Sequence, residues 1–267
     1  MSQTVLVTGA SSGIGAATAR FFHSRGFTVF GTSRKANPSS EFTMLSLDVT
    51  SDASVRNCID HILSQTGRID IVVNNAGYSL NGAIEETSIA EVKDQFETNF
   101  FGVLRTVNAV LPHMREARSG RIINIGSLVG LIAIPYGAFY SATKFALEAY
   151  SESLWYELQP FGIGVSLIEP GFVRTSFGHA AQLAARALSA YDGPRDRVVA
   201  AIKSGIEKGC SPDLVAKSIF HAATSRRPRL RYRVGTDAVW LPRVRKAVPW
   251  DFFASGLRRQ FALDAKS

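Results

Sequence analysis

The chain is poor in cysteine, with only Cys58 and Cys210 among 267 residues. Two thiols allow neither a disulfide framework nor zinc-type spacing. Both read as small buried hydrophobes, and a reducing, cytoplasmic setting is expected. Long apolar runs are also missing. Nothing approaches the roughly 18–20 residues a membrane-spanning helix needs. Met1-Ser2-Gln3 carries no basic stretch, and the apolar run at residues 4–8 is too short for a secretory signal core. Glycine and proline number 22 and 10, well short of a low-complexity chain. The histidines, His23, His61, His113, His179 and His221, are scattered. None pairs at ligand spacing, so no metal site is expected.

What is present is a globular balance, with 46% hydrophobic and 19% charged residues. The length suits one large domain or two small ones. The net charge of +8 invites nucleic acid or an anionic membrane as partner. Its distribution qualifies that. Residues 1–224 hold 19 cationic and 19 acidic side chains, whereas residues 225–267 hold 11 and 3. No nucleic-acid motif accompanies the basic end, so no nucleic acid is expected. There the arginines alternate with Trp240, Leu241, Val244, Val248, Trp250, Phe252, Phe253 and Leu257. Such a segment packs on its own domain, meets a partner subunit or touches an anionic membrane surface. The first of these is favoured.

Strands and helices alternate through the first three-quarters. Residues 4–8, 27–31, 42–47, 69–73, 121–125 and 164–168 read as short strands. Residues 13–25, 51–65, 88–114 (as about two stretches) and 139–159 read as helices, the second opening on a Ser-Asp cap. The strands are continuously apolar, as strands covered on both faces are. Repeated βα units predict an α/β fold with a doubly wound parallel sheet. Beyond Thr175 the pattern loosens. Residues 180–190 read as Ala/Leu-rich helix, Asp192-Gly-Pro194 as its break, and residues 212–224 as a further helix.

Directly behind the first strand stands Thr8-Gly9-Ala-Ser-Ser-Gly13-Ile-Gly15. Glycines let backbone approach a pyrophosphate, and a helix start offers free N–H groups to an anion. Gly9, Ser11, Ser12, Gly13, Ile14 and Gly15 are therefore candidate cofactor contacts. A Gly-Lys-Ser/Thr phosphate loop is absent. After the second strand come Ser33, Arg34 and Lys35, and no acid precedes Glu41. A carboxylate there would hold the ribose 2′-hydroxyl of NAD. Two cations and a hydroxyl suit a 2′-phosphate instead, so NADP(H) is the expected cofactor. Asp48, followed by Val49, ends the third strand, either at the adenine edge or as a helix cap.

Asn74-Asn75-Ala76-Gly77 follows the fourth strand, where Asn75, Ala76 and Gly77 would line the cofactor. Alone it is an Asn-Gly turn. Ser127 follows the fifth strand. Tyr140 and Lys144 come next, i and i+4 on one helical face. An ammonium beside a phenol favours phenolate and lowers its pKa. The tyrosine then exchanges a proton with a carbonyl or alcohol oxygen near neutral pH, and Ser127 would hold that oxygen.

In this order the motifs resemble the short-chain dehydrogenase/reductase family, single-domain branch. Asn99 and Pro170-Gly171-Phe-Val-Arg-Thr175 complete a match over about residues 4–176. The resemblance implies a Rossmann-type sheet of about seven strands, with Tyr140 as general acid/base. It implies that Lys144 binds the nicotinamide ribose, that Ser127 orients the substrate oxygen and that Asn99 holds a relay water. Pro170, Gly171, Val173 and Thr175 would cradle the nicotinamide amide and pyrophosphate. NADP-preferring members carry an arginine where Arg34 stands. Some also carry a basic residue at the place of Ser12, which this chain lacks.

Residues 1–267 are expected as one domain, with a variable substrate loop at 176–210 and a basic extension at 225–267. Phe177, Leu183, Leu188 and Tyr191 make the loop apolar. Leu128, Val129, Ile132, Ile134 and Phe139 do the same near the oxygen site. Beyond Thr175 the chain resembles hydroxysteroid and retinol dehydrogenases more loosely, with residues 229–235 as a last strand. His179 is the one histidine placed to touch substrate. The expected reaction moves a hydride between nicotinamide and an alcohol, ketone or aldehyde of a small hydrophobic substrate. The family usually forms homodimers or homotetramers through helices near residues 99–117 and 139–159. Two alternatives are an NADP(H)-binding regulator without turnover and a basic protein of the membrane surface.

Overall fold

Short, largely apolar runs become the central strands, whose two faces are both covered. In the computed structural model, which describes residues 2–35, 39, 41–178 and 181–264, β1 (Thr4–Val7) and β4 (Ile71–Asn74) are buried along their whole length. They sit mid-sheet. The others are β2 (Thr28–Ser33), β3 (Thr43–Ser46), β6 (Gly120–Ile125), β7 (Ile163–Pro170) and β9 (Arg231–Val234). Their order is β3-β2-β1-β4-β6-β7-β9 and every pairing is parallel. The expected seven-stranded, Rossmann-type sheet is thus observed. Two further strands, β5 (Leu80–Asn81) and β8 (Gln182–Leu183), pair with each other outside it.

Alternate side chains of each strand feed opposite layers. Leu6, Val72 and Ile122 face α2 (Asp52–Thr66), α4 (Gly102–Glu116) and α5 (Ala138–Leu158). Val5, Val7, Ile71, Val73 and Ile123 face α1 (Gly13–His23) and α7 (Pro212–Thr224). In the second layer Phe22 packs edge-on to Phe27 and beside Phe220, centroids 5.2 Å away in each case. The cap expected on α2 is present, since Ser51 accepts from the Ser54 N–H. The helical stretch at 88–114 is α3 (Ile89–Phe96) and α4, joined by a π-type turn at Glu97–Phe101.

The segment after Thr175 differs from the expectation. Residues 181–188 are not helical, and Ser189–Tyr191 form only a short 3-10 turn. Gln182 and Leu183 form β8, because Gln182 N–H donates to Ser79 and Ala184 N–H to Asn81, at 2.8 and 2.9 Å. Ala185 and Leu188 donate to the carboxylates of Glu91 and Glu86. Asp192-Gly-Pro194 does not break a helix but opens one, α6 (Asp192–Lys208). Proline in a first helical turn forfeits no hydrogen bond. His179 and Ala180 lie outside the described residues. The basic end forms a hairpin of α8 (Thr236–Ala247) and α9 (Trp250–Gln260). Ala238 and Phe253 pack it against Leu128 and Ile132 of the main body.

Candidate active site

The carboxyl ends of β1, β2, β4, β6 and β7 open on one cleft of about 1440 Å³. In a doubly wound sheet this is where ligands bind. Gly9, Ser11, Ser12, Gly13, Ile14, Ser33, Arg34, Lys35, Asp48, Val49, Asn75, Ala76 and Gly77 line it. So do Ser127, Tyr140, Lys144, Pro170, Gly171, Val173 and Thr175. Of the expected residues, Gly15 and Asn99 stand behind this surface.

The loop after β1 is a cradle of bare backbone. Gly9 and Gly13 have φ of +66° and +57°, a region costly to other residues. A Cβ on Gly9 would lie 2.9 Å from Ala76 Cα, and one on Gly15 only 2.3 Å from the Gly9 carbonyl. Gly15 therefore lets α1 pack against the loop rather than line the cleft. Asn75 braces the loop, donating from Nδ2 to the Thr8 and Gly9 carbonyls at 2.9 and 3.0 Å. Thr8 Oγ1 accepts from the N–H groups of Asn75 and Ala76. At the start of α1 the Ser12 side chain makes no cap, so the first helical N–H groups remain for an anion.

Beyond β2, Ser33 donates to the Lys35 carbonyl. Arg34 and Lys35 are exposed, and among the described residues neither forms an ion pair. Asp48 takes the main-chain and side-chain donors of Thr50 at 2.9 and 2.8 Å. These bonds hold its carboxyl below the usual range against the opposing effect of burial. The uncapped helix start, the glycine cradle and the free cations together fit a dinucleotide's phosphates.

At the chemical end, α5 carries Tyr140 and Lys144 on one face. The Lys144 Nζ sits 5.7 Å from the Tyr140 ring centroid and donates to the Ile125 carbonyl at 2.8 Å. Burial dominates both groups. It pushes the Tyr140 phenol up to about 12, while a hydrogen bond from Ser127 pulls the other way. It pushes the Lys144 ammonium down to about 8. The expected lowering of the phenol by the ammonium is not observed. Charge on either group is disfavoured where it packs against the cleft wall, and the ammonium is turned to the Ile125 carbonyl. Ser127 is also tied to the Val129 N–H at 3.2 Å.

Asn99 is buried in the π-type turn with both amide hydrogens engaged. They go to the Tyr78 carbonyl at 2.9 Å and Thr143 Oγ1 at 3.3 Å, and its Oδ1 accepts from Tyr78 N–H. One helical turn beyond Lys144, Glu148 meets Glu169 of β7 in the interior. Arg231 reaches Glu148 at 2.9 Å, and Arg233 reaches Glu169 at 3.0 Å. Burial, above all, holds both carboxyls above the usual carboxylate range.

Some participants carry no local sequence signal. Asp237, in the first turn of α8, accepts from the Phe172 N–H at 2.7 Å. It thereby pins the turn after β7, and a Cβ on Gly171 would fall 2.0 Å from its Oδ1. Ile202 and Ile206 of α6, Leu241 of α8, Leu257 of α9 and Phe261 form the cleft's apolar far side. Only the i, i+3/i+4 spacing of apolar residues within α6 and α9 hinted that one face of each is covered.

An open parallel sheet with a glycine cradle at its first turn, and a Ser-Tyr-Lys set at its carboxyl edge, defines a dinucleotide-binding α/β oxidoreductase. The profile of the family described as short chain dehydrogenase matches residues 3–185, and the chain belongs to that family, as an oxidoreductase acting on CH–OH/C=O groups. It is 42% identical over 241 residues to a 3-ketodihydrosphingosine reductase of Bacteroides thetaiotaomicron, covering 87% of this chain and 88% of that one. It is 37% identical over 257 residues to retinol dehydrogenase 8 of Bos taurus, covering 88% and 82%. Among solved structures, a short-chain dehydrogenase from Streptomyces avermitilis superposes with a TM-score of 0.82. The two share 37% identity over 96% of this chain and 98% of that one. ElxO, solved with NADP bound, superposes at 0.76 with 26% identity over 90% and 99%.

Proposed function

We propose that the protein is an NADP(H)-dependent carbonyl reductase and alcohol dehydrogenase for large hydrophobic substrates. The carrying observation is that Ser127, Tyr140 and Lys144 converge in one cleft whose far side is apolar. The glycine loop and the start of α1 would hold the pyrophosphate. Arg34 and Lys35 would hold a 2′-phosphate. Pro170, Gly171, Val173 and Thr175 would flank the nicotinamide, which supplies or accepts the hydride when bound. Ser127 orients the substrate oxygen by hydrogen bond. Tyr140 gives it a proton in reduction and takes one in oxidation. A phenol held protonated at neutral pH is set to act as the donor. Lys144 would bind the ribose hydroxyls beside it. Asn99, with its amide fixed on Tyr78 and Thr143, would position the cleft wall.

The substrate's character rests on the apolar far side together with the two relatives, whose names specify a sphingoid ketone and a retinol. Long-chain, retinoid and steroid carbonyls are therefore the favoured class. Assembly as a homodimer or homotetramer through α4 and α5 has support in the exposed rings of Phe101, Phe145 and Tyr156.

The test is NADPH oxidation at 340 nm across long-chain, retinoid and steroid carbonyls and short soluble ones. The larger apolar compounds should have the higher kcat/KM. Tyr140→Phe should cut kcat by about 10²–10⁴-fold while the NADPH Kd is unchanged. Near-normal turnover in that variant would overturn the assignment.

A further inference from the structure

The basic end of the chain does two things at once. Its inner face closes the cleft, through Leu241, Leu257 and Phe261. Its outer face is apolar and cationic. Trp240, Trp250 and Phe252 are 58%, 58% and 71% exposed, unusually bare for side chains of their size. On α8, Trp240, Arg243, Val244 and Ala247 form one exposed stripe at helical spacing. Arg243 lies over the Trp240 ring at 5.2 Å, and Arg245 over the Trp250 ring at 4.6 Å.

The charge on this face is less than the tail's total, and the structure shows which charges count. Arg231 and Arg233 are turned inward onto Glu148, Glu152 and Glu169. Arg258 is paired with Asp264 at 2.7 Å. Asp237 faces the turn after β7. On the hairpin this leaves Arg243, Arg245, Lys246 and Arg259 without an ion pair among the described residues, against Asp251 alone. Tryptophan and phenylalanine flanked by arginine and lysine is the composition of a surface that enters the headgroup region of a bilayer. A second copy fits less well. A twofold contact sets a patch against itself, and here that would oppose the same cations.

We propose that the α8–α9 hairpin docks on an anionic phospholipid bilayer, with Trp240, Trp250 and Phe252 entering the headgroup layer. The same hairpin borders the cleft, so docking would place the cleft beside the apolar phase that holds hydrophobic substrates. At 12 and 11 residues, α8 and α9 are each too short to span a bilayer, so the proposed contact is with its surface. The docking claim stands apart from the enzymatic reading, and only its consequence for substrate supply rests on that reading.

The experiment is cosedimentation of the full chain with vesicles of phosphatidylcholine alone or with 30% phosphatidylglycerol. Emission from the tryptophans, two of which lie on this face, is followed in parallel. Binding to the anionic vesicles should carry a blue shift and weaken as salt rises. The triple variant Arg243→Glu/Lys246→Glu/Arg259→Glu should bind at least about tenfold more weakly. Trp240→Ser/Phe252→Ser should lose binding and most of the shift. Turnover of a short water-soluble carbonyl, and circular dichroism, should match wild type in both variants. Absence of vesicle binding by the wild-type chain would overturn the proposal. So would equal binding by the triple variant, or a dimer that the Trp240/Phe252 variant dissolves and that never binds vesicles.

Discussion

In the proposed function, Arg34 is the residue on which cofactor choice would turn. It stands exposed at the end of β2 with no acid beside it in sequence, and it forms no ion pair among the described residues. A hydrogen bond to a charged group contributes about 1.5–3 kcal/mol. Arg34→Asp should therefore lower the NADPH-to-NADH ratio of kcat/KM by at least about tenfold, and an unchanged ratio in paired assays would refute the assignment. Tyr140 shows where residue type alone misleads. Its i, i+4 spacing from Lys144 put both on one face, as expected. The spacing says nothing of burial, and burial sets the phenol's proton affinity here. Asn99 is similar, since its motif marks the position but not the Tyr78 backbone that engages its amide.

At the scale of elements, six of the seven sheet strands were legible as short, largely apolar runs, which have few other stable uses, whereas β9 alternates arginine with buried residues and was marked only by the looser family resemblance. The glycine loop, the Asn75 turn, Ser127 and the Tyr140 helix were legible for the same reason, each following a recognisable strand. The 180–190 segment was not. Its alanines and leucines favour helix by propensity, but its N–H groups find distant partners on Ser79, Asn81, Glu86 and Glu91. No local pattern reports that. Asp237 was equally invisible, since its partner is 65 residues earlier in the chain. Its close approach to Gly171 gives a sharp test. Gly171→Ala should drive the Asp237 carboxylate away and cost about 1–3 kcal/mol by overpacking. In thermal denaturation Gly171→Ala/Asp237→Ala should lose less than the sum of the two single variants. Strict additivity would show that the two do not touch.

For the whole molecule, the +8 charge is not one property. Of the cations that give rise to it, Arg231 and Arg233 are engaged by the buried Glu148–Glu169 pair, while others face solvent on the hairpin. The pair also couples stability to pH. Its carboxyls titrate above their unfolded range, so the folded state keeps a proton that the unfolded chain has released. The associated stability is present at low pH and is lost as pH rises through the raised value. Glu148→Gln carries no such proton. Its Tm relative to wild type should therefore become more favourable between pH 5 and pH 8. A difference that stays constant across that range would exclude the coupling.

The bond from Phe172 N–H to Asp237 also fixes where this protein can be cut and rejoined. A graft that exchanges the C-terminal hairpin with that of a relative would change the outer surface and the mouth of the cleft together. Spliced at Gly235, such a chimera imports a foreign residue to support the turn behind β7. Spliced after Ala238, it keeps the native support and exchanges only what lies beyond it.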